Sequence, residues 1–173
     1  MNNIRTNASD GFTLLELIIV ITIISVLASI AIPTYRDYIV RGRVAEGLNL
    51  ATAAKMAVTD NAQSSMSDMA SGYADCNAND ECINQIDSEN VDMIIVDNDT
   101  GIIEICYEEV ATGGTLILHP FYKDASGALA TLSTNARRYS TLQWECLAAG
   151  ALSSVEGVSG GTLNARYAPA GCR

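Results

Sequence analysis

The sequence is poor in basic residues, histidine and aromatic side chains, and each shortage excludes a class of protein. Its 173 residues include 10 Lys and Arg against 20 Asp and Glu, which gives a net charge of −10. A chain this acidic repels phosphate backbones, so we expect no binding of nucleic acid through bulk charge. One His and no Cys/His cluster argue against a zinc site. With only 6% aromatic residues, the core must be aliphatic.

Sequence motifs of catalysis and cofactor binding are also missing. The chain has no P-loop, no GxGxxG and no HExxH motif. The single histidine, His119, precedes Pro120, and no particular Ser or Cys can be matched to it from the sequence. We interpret His119 as structural and predict a protein that is not an enzyme and holds no metal or cofactor. Between Lys55 and Lys123 the chain has 13 acidic residues and no Lys or Arg, which is typical of a solvated face.

One long apolar run dominates the amino-terminal part. From Phe12 to Ile32 the only charged residue is Glu16. As a helix these residues would span about 32 Å, which matches a hydrocarbon core of ~30 Å. The run could be a secretory signal cleaved after Ser29 and Ala31, a simple membrane anchor, or a helix that spans the membrane and later packs inside an assembly. Its length and its carboxylate favour the assembly helix.

Glu16 is costly in this position because a carboxylate in an apolar run needs a partner or an interface. It lies near the membrane surface, is protonated, or pairs with a cation. The α-amine released by cleavage between Gly11 and Phe12 is one candidate. Phe12 and Glu16 are four residues apart, which would place them on one helix face. A neighbouring chain could supply the amine instead.

The amino-terminal region closely resembles that of type IV pilins. The pattern consists of GFTLLEL at residues 11–17, the apolar run, Pro33, and YRDY at residues 35–38. The resemblance implies a leader peptide of residues 1–11, cut after Gly11 by a prepilin peptidase and methyltransferase that also N-methylates Phe12. It also implies polymerisation into a helical filament, with Glu16 as the assembly residue.

The helix is predicted to continue beyond the membrane. An apolar stripe with helical spacing consists of Val40, Val44, Leu48, Ala51, Ala54 and Val58. We therefore predict one helix over residues 12–62, whose part 12–33 serves the membrane and the assembly and whose second half is amphipathic. Pro33 removes a backbone donor and should kink this helix.

The remaining residues, 63–173, are predicted to form a globular head. Residues 63–90 are interpreted as a long connection. Four strand-like runs follow, at Met93–Val96, Gly101–Glu109, Thr115–His119 and Thr141–Leu147. Because the strands cluster after one long helix, the fold class is predicted as α+β, with the helix packed on an antiparallel sheet.

The five cysteines fit an exported protein. Cys76 and Cys82 lie close together in the sequence, so a bridge between them is the first choice, and a bridge from either of them to Cys106 is the alternative. The resemblance to type IV pilins implies a disulfide between Cys146 and Cys172 that closes a carboxy-terminal loop.

These observations together lead to one functional expectation. The resemblance implies the major subunit of a type IV pilus, held in the inner membrane by a single span before assembly and then extracellular. Such filaments serve adhesion, twitching motility or DNA uptake, and their partners are other copies of the chain and the pilus assembly machinery. The alternatives are a pseudopilin of type II secretion, a minor pilin, or a membrane-anchored binding module.

Overall fold

A computed structural model describes residues 11–64, 68–73, 75–76, 81–85, 88–124, 126–133 and 141–173. Residues 1–10 of the predicted leader lie outside the described residues. The chain forms two compact units, Met1–Tyr38 and Ile39–Arg173. Helix α1, Leu14–Ser64, contributes to both units. The predicted range of 12–62 is thus shifted by two residues at each end.

Helical structure continues through Pro33, which lies inside α1. A proline lacks the backbone donor that an interior helical position normally uses, yet the residues before and after Pro33 are both helical. The kink predicted at this position stays a prediction.

A single antiparallel sheet occupies the second unit. Its strands within the described residues are β1 (Asp75–Cys76), β2 (Glu81–Gln85), β3 (Val91–Asp97), β4 (Ile103–Tyr107), β5 (Thr115–Lys123), β6 (Leu129–Thr131) and β7 (Gln143–Leu147). The order is β1-β2-β3-β4-β5, and β5 also pairs with both β6 and β7. The predicted fold class, one long helix with an antiparallel sheet, is confirmed.

Three strands were not anticipated from the sequence. β1 and β2 lie inside residues 63–90, so the interpretation of that whole stretch as a connection is wrong. β6 carries too short an apolar pattern to be recognised.

β5 extends past Pro120, where the prediction ended the strand. The pairing with β4 stops at Leu118 and the pairing with β6 starts at Phe121, so Pro120 is paired only with β7. Its missing N–H therefore breaks no ladder on the other side.

The core lies between the second half of α1 and one face of the sheet. The helix buries Val44, Gly47, Ala51, Ala54, Val58, Asn61 and Ala62. These residues recur at three- and four-residue spacing, as expected for one helical face. In β4 the buried residues alternate, with Ile103, Ile105 and Tyr107 facing inward. The predicted amphipathic stripe is thus the face that packs on the sheet.

Candidate functional site

The amino end of α1 is closed by a threonine. The backbone N–H of Glu16 donates to Oγ1 of Thr13 at 3.2 Å, and the helix begins at Leu14. Thr13 is therefore the N-cap and Glu16 the third helical residue, which is the Thr-x-x-Glu arrangement of a capping box. A negative charge in the first turn also interacts favourably with the helix dipole. This role of Thr13 was not predicted from the sequence, although its spacing from Glu16 was the signal.

Phe12 precedes the helix and is 74% exposed. The four-residue spacing therefore does not place Phe12 and Glu16 on one helical face, because the helix begins two residues after Phe12. This arrangement leaves the Glu16 carboxylate on the first turn of a helix whose neighbouring side chains are apolar and exposed. The pairing of Glu16 with an α-amine, of its own chain or of a neighbouring chain, stays a prediction.

The first half of α1 exposes its apolar side chains on all sides. Between Leu14 and Ile32 no residue is buried, and the exposed fractions of the large side chains run from 43% at Val20 to 74% at Leu14. By length and composition, α1 is long and apolar enough to cross a membrane. A contiguous apolar surface of this size needs lipid or protein to cover it.

The hydroxyl groups of this helical segment are satisfied internally. Thr22, Ser25, Ser29 and Thr34 each donate to a backbone carbonyl oxygen three or four residues earlier, at 2.7–3.1 Å. In an apolar medium a free hydroxyl would lack a partner, whereas these are already bonded. The segment can therefore pass from lipid to a protein environment without leaving a hydroxyl group unbonded.

Polar contacts within the second unit join the second half of α1 to the sheet and to the segment before β3. The hydroxyl of Tyr107 donates to the carbonyl oxygen of Val44 at 2.8 Å. The carboxylate of Glu46 accepts from Ser88 Oγ at 2.6 Å and from Asn90 Nδ2 at 2.7 Å. These two hydrogen bonds lower the pKa of Glu46 and tie the segment before β3 to the helix.

A disulfide joins the end of the sheet to the carboxy terminus. Cys146 of β7 is bonded to Cys172, 26 residues further along. Backbone hydrogen bonds hold the enclosed loop, including Ala148 N–H to Cys172 O and Leu163 N–H to Thr115 O, both at 2.8 Å. The disulfide-closed loop implied by the resemblance is confirmed.

Comparison with known protein families shows which family has this sequence pattern. The Pilin family, described as a bacterial filament, matches residues 40–173. The chain belongs to the pilin family. The prokaryotic N-terminal methylation motif matches residues 6–32 of this pilin, which is the region containing Gly11, Phe12 and Glu16.

Curated relatives of this pilin match about a third of the chain. A fimbrial protein of Moraxella nonliquefaciens is 53% identical over 57 residues, which is 33% of this chain and 37% of the relative. The type IV major fimbrial protein FimA of Dichelobacter nodosus is 55% identical over 53 residues, covering 31% and 33% of the two chains. The matches span about a third of the length of these relatives.

The remaining cysteines of the pilin are placed as follows. Cys76 and Cys82 are register partners in the β1–β2 ladder. Their side chains lie outside those that the structure describes, so a bridge between them stays a prediction. Cys106 is a free, half-buried thiol on β4. Burial, followed by the charges of Glu104 and Asp92, raises the pKa of Cys106 to about 11.

His119 occupies a fully buried position that the sequence could not define. Its Nδ1 donates to Oε1 of Glu145 at 2.8 Å, because a carboxylate only accepts, and its Nε2 lies 3.2 Å from Oγ1 of Thr131. Glu145 also accepts from Ser153 Oγ and, at 2.9 Å, from the Ser154 N–H. Burial alone would raise the pKa of Glu145, but these hydrogen bonds outweigh it and lower the pKa to about 2.

This cluster joins three strands and the disulfide loop. His119 lies on β5, Thr131 on β6 and Glu145 on β7, while Ser153 and Ser154 belong to the loop. His119 thus has a defined set of hydrogen-bond partners, and its purely structural role stays a prediction. Among the described residues, no three His, Cys, Asp or Glu side chains converge as metal ligands would.

Proposed function

We propose that this pilin is the major subunit of a type IV pilus. The leader is removed after Gly11, Phe12 is N-methylated, and the mature chains polymerise through α1 into a surface filament. The matched methylation motif and relatives named as type IV major fimbrial proteins support this assignment. The filament would serve adhesion, twitching motility or DNA uptake, and the chain would act as a structural subunit with no catalytic role.

The observation that carries the proposal is the uncovered apolar surface of residues 14–32. In the inner membrane, lipid would cover this surface while the head lies outside the cytoplasm. In the filament the same helices of other copies would replace the lipid, with van der Waals contacts taking over from acyl chains. The head, closed by Cys146–Cys172, would then form the outer surface of the extracellular pilus.

Glu16 would provide the register between subunits. Its carboxylate needs a cation once it enters the apolar filament core. The N-methylated α-amine of Phe12 from a neighbouring copy supplies one. The partners of the chain are therefore other copies of itself, the prepilin peptidase and methyltransferase, the assembly machinery, and the inner membrane before assembly.

The test separates the charge of Glu16 from its part in the helix cap. Glu16→Ala removes the charge, whereas Thr13→Ala removes the N-cap hydroxyl and leaves the charge in place. We expect Glu16→Ala to abolish or strongly reduce sheared surface fibres in electron microscopy, and Thr13→Ala to retain them. Mass spectrometry of the fibres should show this chain as the main band, beginning at N-methylated Phe12.

Each alternative predicts a different result. Fibres that contain this chain only in traces would indicate a minor pilin or a pseudopilin. A membrane-anchored binding module would be indicated by two results together. The wild type would form no fibres, and the Glu16→Ala variant would retain its full cellular function. A mature protein that begins at Met1 would contradict the proposed processing.

A further inference from the structure

An open groove of about 420 Å³ lies beside the second half of α1, at the start of β7. It is lined by Thr52, Lys55, Met56, Thr59, Asp60, Gln63 and Trp144. Met56 is 64% exposed although it lines the same groove as the indole of Trp144, the only tryptophan. The groove therefore offers apolar surface that the head itself leaves uncovered.

The groove contains one cation in an unusual setting. Lys55 Nζ lies 5.1 Å from the ring centroid of Trp144, and no described carboxylate forms an ion pair with it. Partial burial lowers the pKa of Lys55, which reflects the loss of water around its ammonium group. No other Lys or Arg follows until Lys123. A carboxylate that enters the groove would meet an incompletely hydrated cation. Asp60, at the exposed rim of the groove, would repel a carboxylate at that end.

A matching feature lies in the disulfide loop. Residues 152–159 form a small hairpin, with an antiparallel bridge between Leu152 and Ser159. Leu152 at its base is 93% exposed, and Glu156 at its turn is exposed as well. Glu156 is the only charged residue between Glu145 and Arg166. The hairpin thus presents an apolar side chain and one isolated negative charge.

The groove and the hairpin lie on opposite faces of the sheet. Trp144 and Glu145 are successive residues of β7, so their side chains point to opposite faces. Trp144 contacts Lys55 of α1, whereas Glu145 binds Ser153 and Ser154 within the hairpin. One copy cannot insert its own hairpin into its own groove. A contact between these two different surfaces is head-to-tail, and when repeated it extends into an open array unless its rotation closes a ring.

We propose that the groove receives the 152–159 hairpin of a second copy of this chain. Leu152 of that copy packs against Met56 and Trp144, and its Glu156 lies beside Lys55. The contact rests on the proposed filament and specifies how neighbouring heads join within it. It adds specificity through charge complementarity to the association of the apolar helices.

Cysteine cross-linking of filaments from the full chain tests the contact. A chain carrying both Met56→Cys and Leu152→Cys should, on mild oxidation, move most of its monomer band into a ladder on non-reducing gels. Both positions are exposed, so neither substitution disturbs the core. Each single variant should give no ladder. Absence of the ladder from double-variant filaments, or a dimer band alone, would overturn the head-to-tail contact.

Charge reversal provides an independent measurement. Lys55→Glu and Glu156→Lys should each reduce the yield of sheared filaments and their dissociation temperature, and the double variant should restore both. The matched control combines Glu156→Lys with Lys123→Glu, an exposed cation on β5 outside the groove, and it should restore neither. If Lys55→Glu with Glu156→Lys gives no recovery, the contact is wrong. A wild-type chain without filaments would contradict the proposed function itself, whereas normal filaments without cross-links contradict only this contact.

Discussion

The hydroxyl of Tyr107 donates a hydrogen bond to the carbonyl oxygen of Val44, and the phenol ring covers the helix surface at the next turn. A β-carbon added at Gly47 would lie 2.5 Å from Oη of Tyr107 and 2.6 Å from its Cε1. Gly47 is therefore required by packing. It lets β4 approach α1 at a point where any side chain would collide with a buried ring.

Replacing Gly47 by alanine should destabilise the head. The helical propensity of alanine would add up to ~1 kcal/mol. Overpacking against a buried ring costs about 1–3 kcal/mol, and here it also displaces the hydrogen bond to Val44. We expect a net loss of about 1–2 kcal/mol, measured as a lower midpoint of chemical unfolding in detergent.

Gly42→Ala is the matched control for this substitution. It lies in the same helix, and no atom lies within 4 Å of the position of an added β-carbon. We expect a stabilisation of up to ~1 kcal/mol from helix propensity alone. If both substitutions shifted the midpoint upward, the packing role assigned to Gly47 would be refuted.

Glu145→Gln should destabilise the protein in a manner that depends on pH. The pKa of Glu145 is about 2 in the folded protein against an ordinary value of 4.5. Because folding lowers the pKa, the stabilisation is fully present above about 4.5 and is lost as the pH falls towards 2. We expect the variant to lose on the order of 2 kcal/mol at pH 7 and much less near pH 2.

Unfolding midpoints of both chains across this pH range provide the measurement. Glu109→Gln, at an exposed position, is the control and should change stability little at any pH. A difference between wild type and Glu145→Gln that stayed constant from pH 7 to pH 2 would show that the carboxylate charge is not what stabilises the cluster.

Cys106 should resist alkylation in the folded pilin. Its pKa of about 11 leaves almost no thiolate at pH 8, and its side chain is half-buried. In denaturant without reductant, iodoacetamide should modify Cys106 and no other cysteine, as read by peptide mass mapping. Modification of Cys76 or Cys82 in place of Cys106 would instead support a bridge to Cys106.

Removing the carboxy-terminal disulfide should lower stability without unfolding the loop. The double variant Cys146→Ser and Cys172→Ser loses a cross-link that closes a 26-residue separation, worth ~3 kcal/mol by chain entropy. The loop keeps its backbone bonds to Thr115 and Leu147 and the contacts of Ser153 and Ser154 with Glu145. Amide exchange should therefore still show protection at Leu163, and complete loss of protection there would contradict this expectation.

The strand predictions succeeded where the signal was local. β3, β4 and β7 coincide closely with their apolar runs, because alternation and β-branched or aromatic residues mark a half-buried strand wherever it lies. β1 and β2 were not predicted because long-range pairing creates their order in a stretch of polar composition: β2 pairs with β3, and β1 pairs with β2. β5 continues past Pro120 because its neighbour on one side changes there from β4 to β6, while β7 pairs with it on the other side. The residues around Pro120 do not reveal this change, because it depends on the positions of three other strands.

The sequence by itself determined the amino-terminal part of this protein: the apolar run, the glycine, phenylalanine and glutamate of the motif, and the helical stripe. These features depend on side chains within a few residues of one another. Only the tertiary structure decided that Gly47 lies beneath Tyr107, that Glu145 binds His119, and that Lys55 lies against Trp144. Each of these contacts joins residues 26 or more positions apart, and packing of the helix and strands, which local propensity does not encode, brings them together.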